Sequence, residues 1–193
     1  HPPSAGRQHG GCRCLMASTD SSLGRFTSIR VLVPGTGTRF SCGGLSVALQ
    51  TTRLLSRLRS TQLVTYRQRQ SDHPFLDDLL QQDKSPEDVL WLVSWGFDVP
   101  LLLRRLKGRP VIYQAHSSGY GFDLPAGVPV LAVSRNTMGY WGDRAPRNPL
   151  FFLPNALEPQ WFERGARHLA LDSRSIDVLV QRRKSSDYVL SQL

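Results

Sequence analysis

The stretch whose residues are best suited to ligand binding is a glycine-rich loop, residues 35–44, between an apolar run and an apolar helical stripe. Gly43 and Gly44 stand at the predicted start of that helix, where free backbone N–H groups and the helix dipole favour an anion. Ser41 is placed to cap the helix. Phe40 occupies the position of the third glycine of a dinucleotide fingerprint, and no Gly-Lys-Ser/Thr of a P-loop follows. We predict that the loop contacts an anion or another ligand; the alternative is a turn that needs glycine only for a positive φ.

A histidine is the second candidate. His116 ends a predicted strand and opens a loop rich in Gly and Ser, which places it at the same carboxyl edge as the first loop. An imidazole there can hydrogen-bond a hydroxyl or phosphate, or stabilise developing charge. The alternative is a structural histidine. Trp95 follows a neighbouring strand, and it either lines the same cleft or belongs to the core.

Other catalytic patterns are poorly supported. Ser94 lacks the first glycine of a G-x-S-x-G elbow. Cys42 is a candidate nucleophile close to a helix N-terminus, but no histidine is linked to it in sequence. Cys12-Arg13-Cys14 lacks the second ligand pair of a zinc site. Since no paired Asp/Glu spacing occurs either, we predict no protein-bound metal.

Short apolar, β-branched runs alternate with amphipathic helical stripes along the chain. This alternation predicts an α/β fold of the Rossmann-like, doubly wound type, with a mainly parallel sheet and flanking helices. The predicted strands are 28–34, 62–66, 89–93, 110–115, 128–133 and 150–153, and the predicted helices are 45–58, 75–82, 99–106 and one that starts at 135–140.

The composition and the hydrophobic pattern of the sequence change at both ends. Residues 1–27 are rich in Gly, Ser, Pro and Arg, which predicts a disordered tail. The Rossmann-like domain is expected at 28–162, followed by a linker at 163–175. An apolar run and a helical pattern at 176–193 predict the first strand and helix of a second, truncated α/β domain.

Composition narrows the class of protein. The 193 residues carry a net charge of +9, and 40% are hydrophobic. No window approaches the ~18 consecutive apolar residues of a membrane span. Three cysteines are too few for a disulfide scaffold, which favours a cytoplasmic setting. The positive charge attracts polyanions, and it is compatible with peripheral binding to an anionic membrane surface. The basic residues do not form one continuous stripe, which argues against nucleic-acid binding.

The layout resembles the N-terminal half of retaining, nucleotide-sugar-dependent glycosyltransferases of the GT-B type, families 4 and 1. Four stretches carry the resemblance: Cys42-Gly43-Gly44-Leu45, Ala115-His116-Ser117, Val133-Ser134 followed by Trp141, and Leu153-Pro154-Asn155-Ala156-Leu157. The last is similar to the I-P-N-G-h interdomain motif, with Ala156 in place of the usual glycine. The resemblance as a whole covers roughly residues 28–193.

The resemblance implies a function for each candidate. His116 is expected to be catalytic, and the Ser41, Gly43 and Gly44 loop to bind acceptor or phosphate. Arg182 matches the family's donor-binding arginine, and Lys184 its lysine at a shortened spacing; both would bind the donor diphosphate, although a solvated basic turn is the alternative. The implied partners are a nucleotide-sugar donor and a glycan or lipid-linked acceptor, with neither a further cofactor nor a metal.

The sequence also departs from that family. Its glutamates, Glu87, Glu158 and Glu163, do not form the family's Glu-x7-Glu motif, and Gln181 replaces a glycine. We therefore expect the full-length protein to be a hexosyltransferase and this chain alone to be inactive. Two alternatives stay open: a non-catalytic α/β binding module, and, with less support, a basic nucleic-acid-binding protein.

Overall fold

Apolar runs with β-branched residues form the strands of a parallel sheet, because burial on both faces favours uninterrupted Val and Leu. The computed structural model describes residues 25–82, 85–118 and 121–155. The strands are β1 (Ser28–Val33), β2 (Ser60–Thr65), β3 (Val89–Val93), β4 (Val111–Ala115), β5 (Val130–Ala132) and β6 (Leu150–Phe152). The helices are α1 (Gly43–Leu55), α2 (Leu76–Gln82), α3 (Val99–Arg105) and α4 (Arg135–Arg144).

The six strands form one sheet in the order β2-β1-β3-β4-β5-β6, and every neighbouring pair is parallel. In register, Ile29 of β1 lies opposite Thr61 of β2 and Leu90 of β3. This architecture confirms the predicted Rossmann-like α/β fold. The chain moves to one side of β1 and then returns to its other side, so the strand order reverses at β1.

Alternating side chains of the sheet divide the core into two layers. On one face α1 packs against the sheet, and the buried residues there are Ile29, Val31, Val33, Leu45, Ala48, Leu63, Leu90 and Leu92. The larger layer on the other face joins the sheet to α2, α3 and α4 through residues that include Leu76, Leu102 and Trp141. Right-handed crossovers produce this division, because the first crossover moves across the sheet in the opposite direction to the later ones.

An aromatic group fills the second layer beneath α4. The ring of Trp141 lies edge-on to Tyr113, with centroids 5.2 Å apart, and edge-on to Tyr140 at 5.2 Å. The Trp141 indole N–H donates to the Ser117 carbonyl at 3.4 Å, so α4 is also linked to the loop after β4. The N-terminus of α4 is capped by Ser134, whose Oγ accepts the N–H of Thr137 at 3.1 Å.

Several element boundaries differ from the sequence prediction by one to three residues, and two of these differences have a structural reason. The helix predicted through Leu58 ends at Leu55, and Leu58 is 77% exposed, because tight turns at Ser56–Arg59 lead directly into β2. β5 is shorter than predicted, since Pro129 has no N–H to donate to a sheet ladder. Gly108, which follows α3, adopts φ +81°, as expected of a glycine just beyond a helix.

Packing against the sheet, rather than side-chain type, should decide the stability contribution of each leucine. Leu102 is fully buried in α3, whereas Leu58 is 77% exposed. We expect Leu102→Ala to lower the free energy of unfolding by about 2–5 kcal/mol, because a cavity is left in the core. The matched control Leu58→Ala should change it by less than about 0.5 kcal/mol. Urea unfolding of both variants measures the difference, and equal losses would contradict this packing.

Candidate functional site

The first loop runs from the end of β1 to the start of α1 at the carboxyl edge of the sheet. Residues Thr38–Phe40 form a 3₁₀ turn that Ser41 closes, its N–H donating to the Thr38 carbonyl at 3.1 Å. Cys42, in an extended conformation, is the N-cap of α1, and no side chain caps the helix. The prediction that Ser41 caps α1 is therefore wrong, because Ser41 ends the preceding turn instead. Its predicted part in ligand binding stays a prediction.

Gly43 and Gly44 form the first residues of α1. Neither has a positive φ, so the alternative that glycine serves only a left-handed turn is wrong at this position. Within the described residues, no hydrogen bond is recorded for their N–H groups, which are among the first four donors of a helix. A Cβ placed on Gly43 would meet no atom within 4 Å. The backbone at Gly43 is therefore open to a ligand.

Trp95 stands beside this helix start. A Cβ placed on Gly44 would lie 3.6 Å from Cζ3 of Trp95, at ordinary contact distance. The Trp95 side chain is half-buried and packs against both core layers. Its position just beyond β3 explains this double contact, because it covers the end of the sheet. Trp95 therefore belongs both to the core boundary and to the edge that carries the first loop.

His116 follows β4 directly at the same edge. It is half-buried, and burial lowers the pKa of its imidazole below the usual value. The imidazole is therefore mainly neutral at pH 7, with one nitrogen available as donor and the other as acceptor. Within the described part of the chain, no hydrogen bond or ion pair is recorded for it. Whether His116 is catalytic or structural stays a prediction.

The strand order determines how these groups are spaced. β3 separates β1 from β4, so the two strands lie about 10 Å apart, twice the usual spacing of neighbouring strands. No contact between His116 and the Gly43-Gly44 backbone is recorded among the described residues. Trp95 occupies the strand end between them. The three groups thus follow three adjacent strands at one edge of the sheet.

The first loop is held against the residues that follow β2. The Thr36 N–H and hydroxyl both donate to Oε1 of Gln70, at 3.1 and 2.8 Å. Phe40 folds back over Gly35, where an added Cβ would lie only 2.6 Å from Cε2 of the ring. Glycine is required at position 35 by this close approach rather than by its φ.

A buried carboxylate, which the sequence analysis missed, links β2 to α3. Asp98 accepts a hydrogen bond from the Tyr66 hydroxyl at 2.6 Å and an ion-paired one from the Arg67 guanidinium. Burial, reinforced by the hydrogen bond to Asp98, raises the pKa of Tyr66. The hydrogen bond to Asp98 likewise raises the pKa of Arg67. In the sequence, the one signal for this contact was the pair Tyr66-Arg67 at the end of a predicted strand.

Two cavities lie at opposite edges of the sheet. The larger, about 680 Å³, is at the amino edge and is lined by residues that include Arg25, Leu90 and Pro129. The smaller, about 490 Å³, is at the carboxyl edge between the first loop and the residues after β2. Ligands of open α/β sheets bind at the carboxyl edge, at the point where strand order reverses. The size of the larger cavity therefore does not make it the better candidate.

Several predictions concern residues outside the described ranges. Arg182 and Lys184 lie there, as do the predicted linker, the second-domain elements and nearly all of the predicted N-terminal tail. Among the described residues, no three His, Cys, Asp or Glu side chains are grouped as metal ligands would be. No helix in these ranges is long and apolar enough to cross a bilayer.

Comparison with known proteins adds no assignment. No protein-family model, no curated protein and no solved structure matches this chain.

The contact between Gly35 and Phe40 predicts a specific response to added volume. Gly35→Ala should lower the free energy of unfolding by about 1–3 kcal/mol, because the new methyl group overlaps the Phe40 ring. The matched control Gly43→Ala should be neutral or stabilise the chain by about 0.4–1 kcal/mol, since its methyl group enters open space. In a Phe40→Ala background most of the Gly35→Ala loss should disappear. Chemical unfolding tests all three, and an unchanged loss in that background would locate the strain elsewhere.

The lowered pKa of His116 predicts the pH dependence of stability. Because the folded pKa lies below the unfolded value of about 6.5, the unfolded state binds more protons as pH falls through that value. The contribution of the neutral His116 imidazole to the free energy of unfolding is therefore fully present above about pH 6.5, and it declines as the pH falls below that value. His116→Gln removes this titration, so the stability of the variant relative to wild type should rise between about pH 7.5 and about pH 5. Parallel pH profiles for the two proteins would contradict the lowered pKa.

Proposed function

We propose that this chain is the acceptor-side domain of a glycosyltransferase, which transfers a sugar with retention from a nucleotide-sugar donor to a glycan or lipid-linked acceptor. The supporting observation is the grouping at the carboxyl edge of the sheet: the Gly43-Gly44 backbone, Trp95 and His116 follow three adjacent strands. The resemblance of the surrounding motifs to GT-B enzymes supplies the reaction class.

The motifs of that resemblance lie at strand ends and helix starts of this fold. The Gly-Gly pair opens α1, His116 follows β4, and Ser134 is the N-cap of α4. Asn155, from the proposed interdomain motif, lies shortly after β6 and is exposed. Each motif thus falls at a strand end or helix start, where a ligand-binding loop of this fold would be expected.

The chemistry assigns distinct tasks to the two outer groups. In a retaining transfer, positive charge develops at the anomeric carbon while the nucleoside diphosphate departs. The free N–H groups of Gly43 and Gly44 would hold an anionic or hydroxyl group in place. The neutral imidazole of His116 would hydrogen-bond the transferred sugar or the acceptor near the reacting centre. Arg182 and Lys184 would neutralise the departing diphosphate, so no metal would be required.

The same proposal includes the cellular setting. A lipid-linked acceptor and the net charge of +9 fit a cytoplasmic protein that contacts an anionic membrane at its surface. A binding module that holds the same ligands without catalysis is the second candidate, and the departures from the family's motifs at Ala156 and Gln181 favour it.

Two substitutions in the full-length protein test whether these groups take part in sugar transfer. We expect His116→Ala to reduce sugar transfer about 10²–10³-fold, the usual effect of losing one preorganised contact at a transition state. Gly43→Val should also reduce transfer, because a Cβ at this position meets no neighbouring atom and a helical Cβ leans toward the helix N-terminus, where the N–H groups lie. The measurement is label transfer from a panel of nucleotide sugars to glycan and lipid-linked acceptors.

The control is His73→Ala, which changes a histidine in the loop before α2 that pairs with Asp72. It should fold and transfer sugar as wild type does. Folded His116→Ala and Gly43→Val proteins with near-wild-type turnover would exclude both groups from the reaction. Ligand binding without transfer by the wild-type protein would favour the binding module instead.

A further inference from the structure

A basic cavity beside the first loop has no part in the function proposed above. It has a volume of about 490 Å³ and is lined by Gly37, Thr38, Arg39, Phe40, Arg67 and Gln68. One wall is the 3₁₀ turn of the first loop, and the other is the segment that follows β2. Both walls lie at the carboxyl edge of the sheet, on the β2 side of β1.

Backbone hydrogen bonds hold the two walls together. The Pro34 carbonyl accepts the N–H groups of Arg67 at 3.1 Å and Gln68 at 3.0 Å. Thr36 and Gln70 add the two bonds described above. These hydrogen bonds within the chain fix the positions of the two walls relative to each other.

The charges of the cavity favour an anion. Arg67 is paired with the buried Asp98, yet its side chain stays 55% exposed. Arg39 is exposed, its guanidinium lies 5.8 Å from the Phe40 ring centroid, and no carboxylate partner is recorded for it within the described residues. Two guanidinium groups and one carboxylate leave one net positive charge at the site. None of the six lining residues is acidic.

The donors of the cavity suit a phosphate group. A guanidinium presents a planar fork of N–H donors that can bind two phosphate oxygens at once. The Thr38 hydroxyl and the Gln68 amide line the same space and offer further neutral donors. A carboxylate has two oxygens, whereas a phosphomonoester presents three terminal oxygens and carries about −1.5 to −2 charges at pH 7. The phosphomonoester therefore uses more of these donors.

The size of the cavity and its aromatic wall indicate a ligand larger than free phosphate. A water molecule occupies about 30 Å³ of liquid volume, so 490 Å³ exceeds what a phosphate group alone fills. Phe40 supplies an apolar surface beside the two arginines, and its packing over Gly35 holds the ring in place. We propose that this cavity binds a small phosphomonoester, with its phosphate on Arg39 and Arg67 and its organic part against Phe40. The inference stands independently of sugar transfer.

Calorimetric titration of the 193-residue chain with ribose 5-phosphate, inorganic phosphate and ribose tests the proposal. Ribose 5-phosphate should bind more tightly than phosphate, and ribose should not bind measurably. Arg39→Gln should weaken ribose 5-phosphate binding at least about tenfold, since a hydrogen-bonded charge contact is lost. Arg67→Lys preserves the charge beside Asp98 but removes the fork, so it should also weaken binding.

Arg57→Gln is the matched control, because it removes the same charge from an exposed arginine in the turn after α1. It should bind ribose 5-phosphate as wild type does. An equal loss of ribose 5-phosphate affinity in Arg57→Gln and Arg39→Gln would show that net charge alone causes the effect, and it would overturn the proposal. Equal affinities for phosphate and ribose 5-phosphate would replace the phosphomonoester with free phosphate, and no binding of either would refute the site.

Discussion

The central position of β1 is the constraint on which the rest of the structure depends. β1 pairs with β2 on one side and β3 on the other, and both of its faces are covered. Because the chain leaves to one side and returns to the other, the loops after β1 and β3 diverge at its carboxyl end. In open α/β sheets the place for a ligand is found where such loops diverge, so it follows from strand order and not from any single side chain. The first loop and Trp95 lie there for this reason.

The buried carboxylate of Asp98 shows how one polar group places others. A carboxylate removed from water is tolerated only when its charge is paired and its oxygens accept hydrogen bonds. Here the Tyr66 hydroxyl and the Arg67 guanidinium supply both. The pairing joins the start of α3 to the residues after β2, while the Arg67 backbone N–H, which donates to the Pro34 carbonyl at 3.1 Å, keeps this residue beside the first loop. A contact that satisfies the core thereby also orients a cation at the surface.

Much of the fold was predictable because its signals are local. β3 occupies Val89–Val93 as predicted, since five successive apolar residues bounded by polar ones admit few other structures. The start of α1 was predicted less well. Ser41 is a good capping residue by type, but the turn at Thr38–Phe40 uses its backbone, and the helix begins after Cys42.

The site was predictable only in part, because its contacts join distant parts of the chain. Sequence order placed His116 and the Gly43-Gly44 pair at one edge, since both follow strands of a parallel sheet. The approach of Phe40 to Gly35 and the pairing of Asp98 with residues 31 and 32 positions away have no local pattern. The sequence suggested positive φ as one reason for the glycines at 43 and 44, whereas a close approach requires the glycine at 35.

The first loop forms a boundary of two regions at the same edge. Its early residues, with Arg39 and Phe40, form one wall of the basic cavity, and its end presents the N–H groups of Gly43 and Gly44. Only Ser41 and Cys42 separate these parts, and Ser41 is bonded to the turn through its N–H. A displacement of Phe40 from Gly35 would therefore also shift the start of α1 relative to Trp95. The two regions are chemically distinct, yet one short segment determines the geometry of both.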